Sequence, residues 1–240
     1  MLKDAIKYIV GLSAPTVQEI RGETYSDKQL HRVNHIPYAE EITMSTLSSL
    51  VDYIKSGVDS FRDKMIIHVK SPTCVKMYSA LDSERERERI VEVRAAVPEF
   101  NFNQFMDHES FCIGVQSKFE DDEYTDRALL LKFAGTVEAG SVSEYGDDGI
   151  SQKATVKTGI ASKGEAIVPS PAKLRPYRTF VEVYQPSSAF IFRMKQDKYG
   201  DVQCALFEAD GGAWKITAMN RIKDYLDKNL EGYDNFIVIS

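Results

Sequence analysis

Cysteine is scarce in this chain. Cys74, Cys112 and Cys204 are three in 240 residues, they lie far apart, and none forms a CxxC or CxxH pair. That spacing excludes a disulfide framework and a thiolate zinc site, and leaves reduced thiols acting as small apolar groups. Long apolar runs are missing as well. The longest, such as Leu129–Leu131 and Ala189–Phe192, fall far short of the roughly 20 residues that a membrane-spanning helix needs. The N-terminal MLKDAIKYIVGL has neither the apolar length nor the small-residue cleavage site of a secretory leader. The chain is therefore expected in the cytoplasm, away from membranes. Basic residues are outnumbered 30 to 36, for a net charge of -6, which argues against a general duplex-coating protein and leaves room only for a local basic patch.

Catalytic and nucleotide signatures are absent too. No GxxxxGK[ST], GxGxxG, GxSxG or HExxH occurs. His31 and His35 have the i,i+4 spacing of a metal pair, but Asn34 and Pro37 make that stretch a poor helix. Asp147-Asp148-Gly149 has the look of a calcium-loop fragment without the remaining ligands, and reads as a turn. Asp107-His108-Glu109 gathers an acid–base set, but neighbours on a helix diverge by about 100° and do not converge on one atom. No metal and no cofactor are expected.

What is present is β-forming sequence. MIIHV, TCVKMYSAL and RIVEVRAAV read as a meander from Met65 to Val97. SQKATVKTGI alternates Ala154, Val156, Thr158 and Ile160 against Lys153, Thr155 and Lys157, the pattern of a half-buried strand. TFVEVY and AFIFRM read as strands joined by Gln185-Pro186-Ser187-Ser188, with CALFEA following the turn QDKYGD.

Helices are fewer. Leu2, Ala5, Ile6, Ile9 and Val10 sit at helical spacing before Pro15. Thr43 or Ser45 is expected to cap a helix with the stripe Leu47, Leu50, Val51 and Ile54, stopped by Gly57. Asn101 or Asn103 should open another, burying Phe105, Met106, Cys112, Val115 and Phe119. A third, from Thr125 to about Phe133, has Ala128, Leu129 and Leu131 to bury. The last carries Ile216, Met219, Ile222, Leu226 and Leu230. The sum is an α+β fold, an antiparallel β-rich core with three to four helices, preceded by an N-terminal helix and arm over 1–57, with the core over 58–240.

Two segments carry unusual charge. DSERERERI alternates Glu84, Arg85, Glu86, Arg87 and Glu88, either as a solvated hairpin tip with weak ion pairs or as a charge ladder between subunits. PAKLRPYRTF sets Lys173, Arg175 and Arg178 around Tyr177. Guanidinium groups fork onto phosphate while a ring stacks on a base, so a nucleotide or single-stranded nucleic acid would fit. The same residues would equally make a cationic edge that discourages strand pairing. Arg193, inside an apolar strand, suggests a buried ion pair or an interface.

The phrases DDGISQKATVKTGI, VPSPAKLRPYRTFVEVYQPSSAFIFRMK and ALFEADGGAW resemble the YfdQ-like family of phage and prophage proteins, over roughly residues 60 to 230 as an order of elements. The resemblance implies a viral accessory protein from early or recombination-region genes, acting in the host cytoplasm, and it carries over no catalytic residues. With the arm and the β-rich half, it leads to an expected non-enzymatic protein that self-assembles into a homo-oligomer, up to a closed or shell-like assembly. The alternative is a nucleotide or single-stranded nucleic-acid binder, for recombination or to sequester a defence signal. An enzyme built on Asp107, His108 or Glu109 comes third.

Overall fold

A computed structural model describes residues 2–11, 14–29, 37–142, 153–157, 163–167 and 170–240. For residues 137–142, 153–157 and 163–167 the description is of the backbone. His31, His35 and Asp147–Gly149 lie outside the described residues. The chain divides into two units, Met1–Tyr38 and Ala39–Ser240.

In the first unit, α1 (Leu2–Gly11) is followed by a hairpin of β1 (Val17–Ile20) and β2 (Glu23–Ser26). Its two-residue turn, Arg21-Gly22, has φ of 58° and 82°, the doubly left-handed conformation that matches strand twist. Asp27 closes the hairpin, with Oδ1 accepting from Thr16 N at 2.6 Å. No described residue of this unit is buried.

The second unit contains two cores. In the first, the strands β3 (Ile42–Met44), β4 (Met65–Ser71), β5 (Cys74–Tyr78), β6 (Arg89–Arg94) and β14 (Phe236–Ile239) form a sheet in the order β14-β4-β5-β6-β3. The expected meander is its centre. β14 and β3 join it in parallel, at Ile237↔Ile66 and Thr43↔Glu92, so the sheet is mixed rather than purely antiparallel. One face packs under α2 (Leu47–Ser56) and α5 (Ala213–Asn229), burying Leu47, Leu50, Ile54, Ile67, Val75, Met77, Val91, Val93, Ile222 and Leu226. The apolar stripe of α2 lies where the periodicity places it, and Gly57 at φ 62° ends the helix. The N-cap is Thr46, which accepts from Ser49 N, instead of Thr43 or Ser45. Since α2 packs in this core, it belongs to the second unit and not with residues 1–38. Along α5, Ile216 is exposed while Ala218 is buried.

The second core lies between the sheet β11-β12-β13-β7 and helices α3 (His108–Lys118) and α4 (Arg127–Thr136). Strands β11 (Ala172–Leu174), β12 (Ser188–Gln196) and β13 (Val202–Glu208) and the short β7 (Met106–Asp107) present Leu174, Phe190, Phe192, Met194, Cys204 and Leu206 to Phe111, Val115 and Leu130. The rings of Phe111 and Phe192 stack at 5.3 Å.

The start of α3 and the buried side of α4 differ from expectation. Asp107 caps α3 by accepting from Ser110 N at 2.8 Å. Asn103, at φ 63°, instead ties its segment to β13, accepting from Glu208 N and donating its own N–H to Leu206 O. In α4 the buried residues are Leu130 and Ala134, while Ala128 and Leu129 face solvent. A third sheet pairs β8 (Val137–Val142), β9 (Lys153–Lys157) and β10 (Lys163–Ile167) in the order β10-β9-β8.

Between β11 and β12, residues 175–187 are not a strand. The alternation in TFVEVY gives way to a turn in which Phe180 and Val183 point inward, joining the first core. Their flanks, Leu174 and Phe190, belong to the second. This strap therefore leaves the second core, places Phe180 and Val183 in the first, and returns to the second.

Candidate functional site

The strap carries three of the four residues expected to bind a ligand, and the structure turns two of them inward. Arg175 and Arg178 are 4% and 7% exposed. Arg175 Nη1 pairs with Asp122 and, at 3.1 Å, with Glu120, both in the α3–α4 connection, and its guanidinium lies 4.0 Å from the centre of the Tyr184 ring. Arg178 Nη1 pairs with Glu208 at 3.2 Å, and Nη2 donates to Ser188 Oγ and to Pro186 O. Its guanidinium sits 4.0 Å from the Trp214 ring and 5.7 Å from Phe190. Burial pulls the Arg178 pKa down to about 10, against the opposing pull of Asp210 and Glu208. The Nε atoms of both arginines are buried without an acceptor among the described residues. Lys173 and Tyr177, by contrast, face solvent.

Residues the sequence did not single out hold the strap in shape. Gln185, 2% exposed, accepts at Oε1 from Arg178 N and Thr179 N, and its Nε2 donates to Phe180 O at 3.0 Å. It supplies the turn's backbone bonds from a side chain, as a buried polar group must. Glu182 Oε1 accepts from Ser48 N and Oγ at 3.1 and 3.2 Å, so a strap carboxylate satisfies one of the free N–H groups in the first turn of α2. Thr179 Oγ1 donates to Pro72 O. Gln185 thus braces the strap from within, while Arg175, Arg178, Thr179 and Glu182 tie it to other parts of the chain.

The other candidates are scattered. Arg85, Glu86 and Arg87 are exposed on a turn rather than a strand, and Asp82 Oδ1 organises that turn by accepting from Glu84 N and Glu86 N at 2.9 Å each. Their charges do not segregate to two strand faces. Arg193 is half-buried on β12, opposite Ala205.

Asp107 is spent on a helix cap and Glu109 is exposed. His108 Nε2 lies 2.9 Å from Ala134 O and 3.6 Å from Cys112 Sγ. So close an approach to a carbonyl oxygen places the proton on Nε2, and that nitrogen then has no lone pair with which to deprotonate the thiol. Burial raises the Cys112 thiol and pushes Cys204 up to about 12, the reverse of what a nucleophile needs.

A polar cluster on β5 and β6 is the remaining concentration of charge. Glu92 meets Arg94 at 2.8 Å, Lys76 at 3.1 Å and Cys74 Sγ at 3.5 Å, and Lys76 also meets Glu41. The Arg94 hydrogen bond, with Lys76, holds Glu92 down at about 2. Its charges are mutually neutralised. Among the described residues there is no group of three metal-ligating side chains, and no helix is long and apolar enough to cross a membrane.

The surface feature that remains is the first unit. Leu2, Ile6, Tyr8, Ile9, Val10, Val17, Ile20 and Tyr25 are each more than half exposed. No family model, curated protein or solved structure matches the chain.

Proposed function

We propose that the chain is a non-enzymatic phage or prophage accessory protein that self-associates through residues 1–38 into a homo-oligomer. The observation that carries this reading is a folded unit without a core. Isolated helices shorter than about 12 residues and single hairpins are marginal in water, because tertiary burial supplies most of their stability. This unit has a ten-residue helix and a hairpin of two four-residue strands, and none of their residues is buried. Eight large apolar side chains more than half exposed represent on the order of 10 kcal/mol of burial. That is comparable to the 4–15 kcal/mol cost of association, and reciprocal exchange of two such units doubles the gain. The phage context rests on the phrases quoted above.

The nucleic-acid alternative is the weaker reading. Two of the cations it needs are committed internally, and Lys173 and Tyr177 alone of the four reach solvent.

Sedimentation velocity and native mass measurement of the full chain and of a chain lacking residues 2–38 test the proposal. The full chain should be oligomeric and the shortened one monomeric. A full chain that stays monomeric at micromolar concentration, or a shortened chain that assembles equally well, refutes it.

A further inference from the structure

We infer that α1 of one copy lies on the five-stranded sheet of a second copy, against the face turned away from α2 and α5, and that two copies exchange α1 reciprocally. This rests on the self-association reading and names its acceptor and its symmetry.

The pairing register defines that face. Val238, Ile67, Met77 and Val91 form one row across the sheet, and all four lie in the core under the helices. Side chains alternate along each strand, so the rows between point the other way. One such row is Ile237, Ile66, Tyr78 and Arg89. The next is Ile239, His68, Lys76, Glu92 and Thr43. Ile237 and Ile239 are 41% and 45% exposed, and Ile66, His68 and Tyr78 are half-buried. Charge gathers toward β6. There Lys76 pairs with Glu92 and Glu41, Glu92 also pairs with Arg94, and Arg89 is exposed at the margin. Over β14, β4 and β5 the face is the apolar patch Ile237, Ile239, Ile66 and Tyr78, with His68 inside it.

The sheet edge beside this patch does not invite a further strand. Asn235 O accepts from Met65 N at 2.7 Å, so alternation turns the Val238 carbonyl outward, where it accepts from Lys223 Nζ at 2.9 Å. Phe236 N is taken by Tyr233 O at 3.0 Å. A lysine on an edge strand guards it against pairing. What covers Ile237 and Ile239 therefore comes onto the face, and comes as a helix rather than a strand.

α1 is such a helix. At about 100° per residue, Leu2, Ala5, Ile6 and Ile9 fall within one arc of about 100°, with Val10 beside it. Lys7 and Asp4 stand equally far from that arc on the opposite side, three residues apart and of opposite charge, so the stripe brings apolar surface with little net charge behind it. Ten residues make a helix about 15 Å long, against roughly 10 Å across three strands.

Area sets the stoichiometry. The stripe and Val10 present on the order of 300 Å² of apolar surface. With an equal area of the face, one docking buries about 600 Å², below the roughly 1,200 Å² at which stable interfaces begin, and two reciprocal dockings reach it. Exchange of α1 between two copies closes the assembly as a two-fold.

Cross-linking tests this. Ile6→Cys and Ile239→Cys are made in separate, differently tagged full chains, mixed, and treated with a short bismaleimide. The two tags should become linked above the background of the parent chain. Ile6→Asp and Ile239→Asp should each weaken dimerisation at least about tenfold, because each sets a charge in an apolar contact. Ile216→Asp, 62% exposed on α5 across the sheet, should leave it within about twofold. If Ile239→Cys lowers no urea midpoint but links only to itself, if Ile6→Cys links only to itself, or if a dimeric protein links at neither position, the acceptor is overturned while self-association stands. Equal weakening by all three Asp variants overturns it as well. Assemblies larger than two copies overturn reciprocal exchange, and a monomeric full chain overturns both readings. Should Ile239→Asp lower the urea midpoint, the cross-link made with the milder Cys decides alone.

Discussion

Replacing Arg178 by Ala separates a strap that holds the protein together from one that awaits a ligand. If the guanidinium belongs to the fold, its removal has a calculable cost. Truncation takes away two buried methylenes, worth roughly 1.6 kcal/mol. It also removes a desolvated contact with the Trp214 ring, worth about 2 kcal/mol, and leaves the buried Pro186 O without its donor, at about 1–3 kcal/mol. Against these stands the relief of holding a charge inside. A pKa brought from 12.5 to about 10 corresponds to roughly 3 kcal/mol of penalty on the charged form. Glu208 loses little, since it is a third exposed and still accepts from Trp214 Nε1. The net is a destabilisation of about 2.5 kcal/mol, or about 5–10 °C in Tm for a chain of this size. Arg178→Met keeps the stem and removes the charge, so it should cost about half as much.

Urea unfolding followed by far-ultraviolet circular dichroism measures this. Emission from Trp214 is an independent report, because the one tryptophan lies against the substituted group. A loss below about 1 kcal/mol for Arg178→Ala, with unchanged slope, would refute the reasoning. It would mean that the guanidinium is free to serve a ligand.

Other expectations follow from single contacts. A Cβ on Gly114 would lie 2.9 Å from Phe100 Cε2, so Gly114→Ala should cost about 1–3 kcal/mol by overpacking, read as a lower urea midpoint. Glu92 is held below its ordinary value, so its contribution is complete above the unfolded carboxyl pKa, near 4.5, and is lost as pH falls toward about 2. Glu92→Gln should therefore flatten the acid limb of a stability–pH profile between those values, and an unaltered limb would show the cluster to be idle. Asp82→Ala should cost about 1 kcal/mol through the lost turn bonds, whereas Arg85→Ser and Arg87→Ser, on the same exposed turn, should stay within about 0.5 kcal/mol. Comparable losses at all three positions would contradict the division between organising and solvated residues.

The parts of the fold that were legible in the sequence are those whose partners lie close along the chain. β4, β5 and β6 pair with their sequence neighbours, and the stripe of α2 faces them, so period and turn residues suffice. β3 and β14 enter the same sheet in parallel from distant segments, and no local pattern encodes such a pairing. The β1–β2 hairpin was missed because an arginine at φ 58° fills a turn position that Asn or Asp would have advertised.

The strap failed for a different reason. PAKLRPYRTF looks like a phosphate-binding stretch only so long as its carboxylates are unseen. Glu120 and Asp122 stand 55 and 53 residues before Arg175, and Glu208 stands 30 after Arg178. Whether an arginine binds or builds depends on whether topology returns an acid to it. The alternation in TFVEVY misleads similarly, because Gln185 satisfies the backbone that a neighbouring strand would otherwise have paired. A basic, aromatic segment flanked by prolines is thus ambiguous until the burial of its guanidiniums is known.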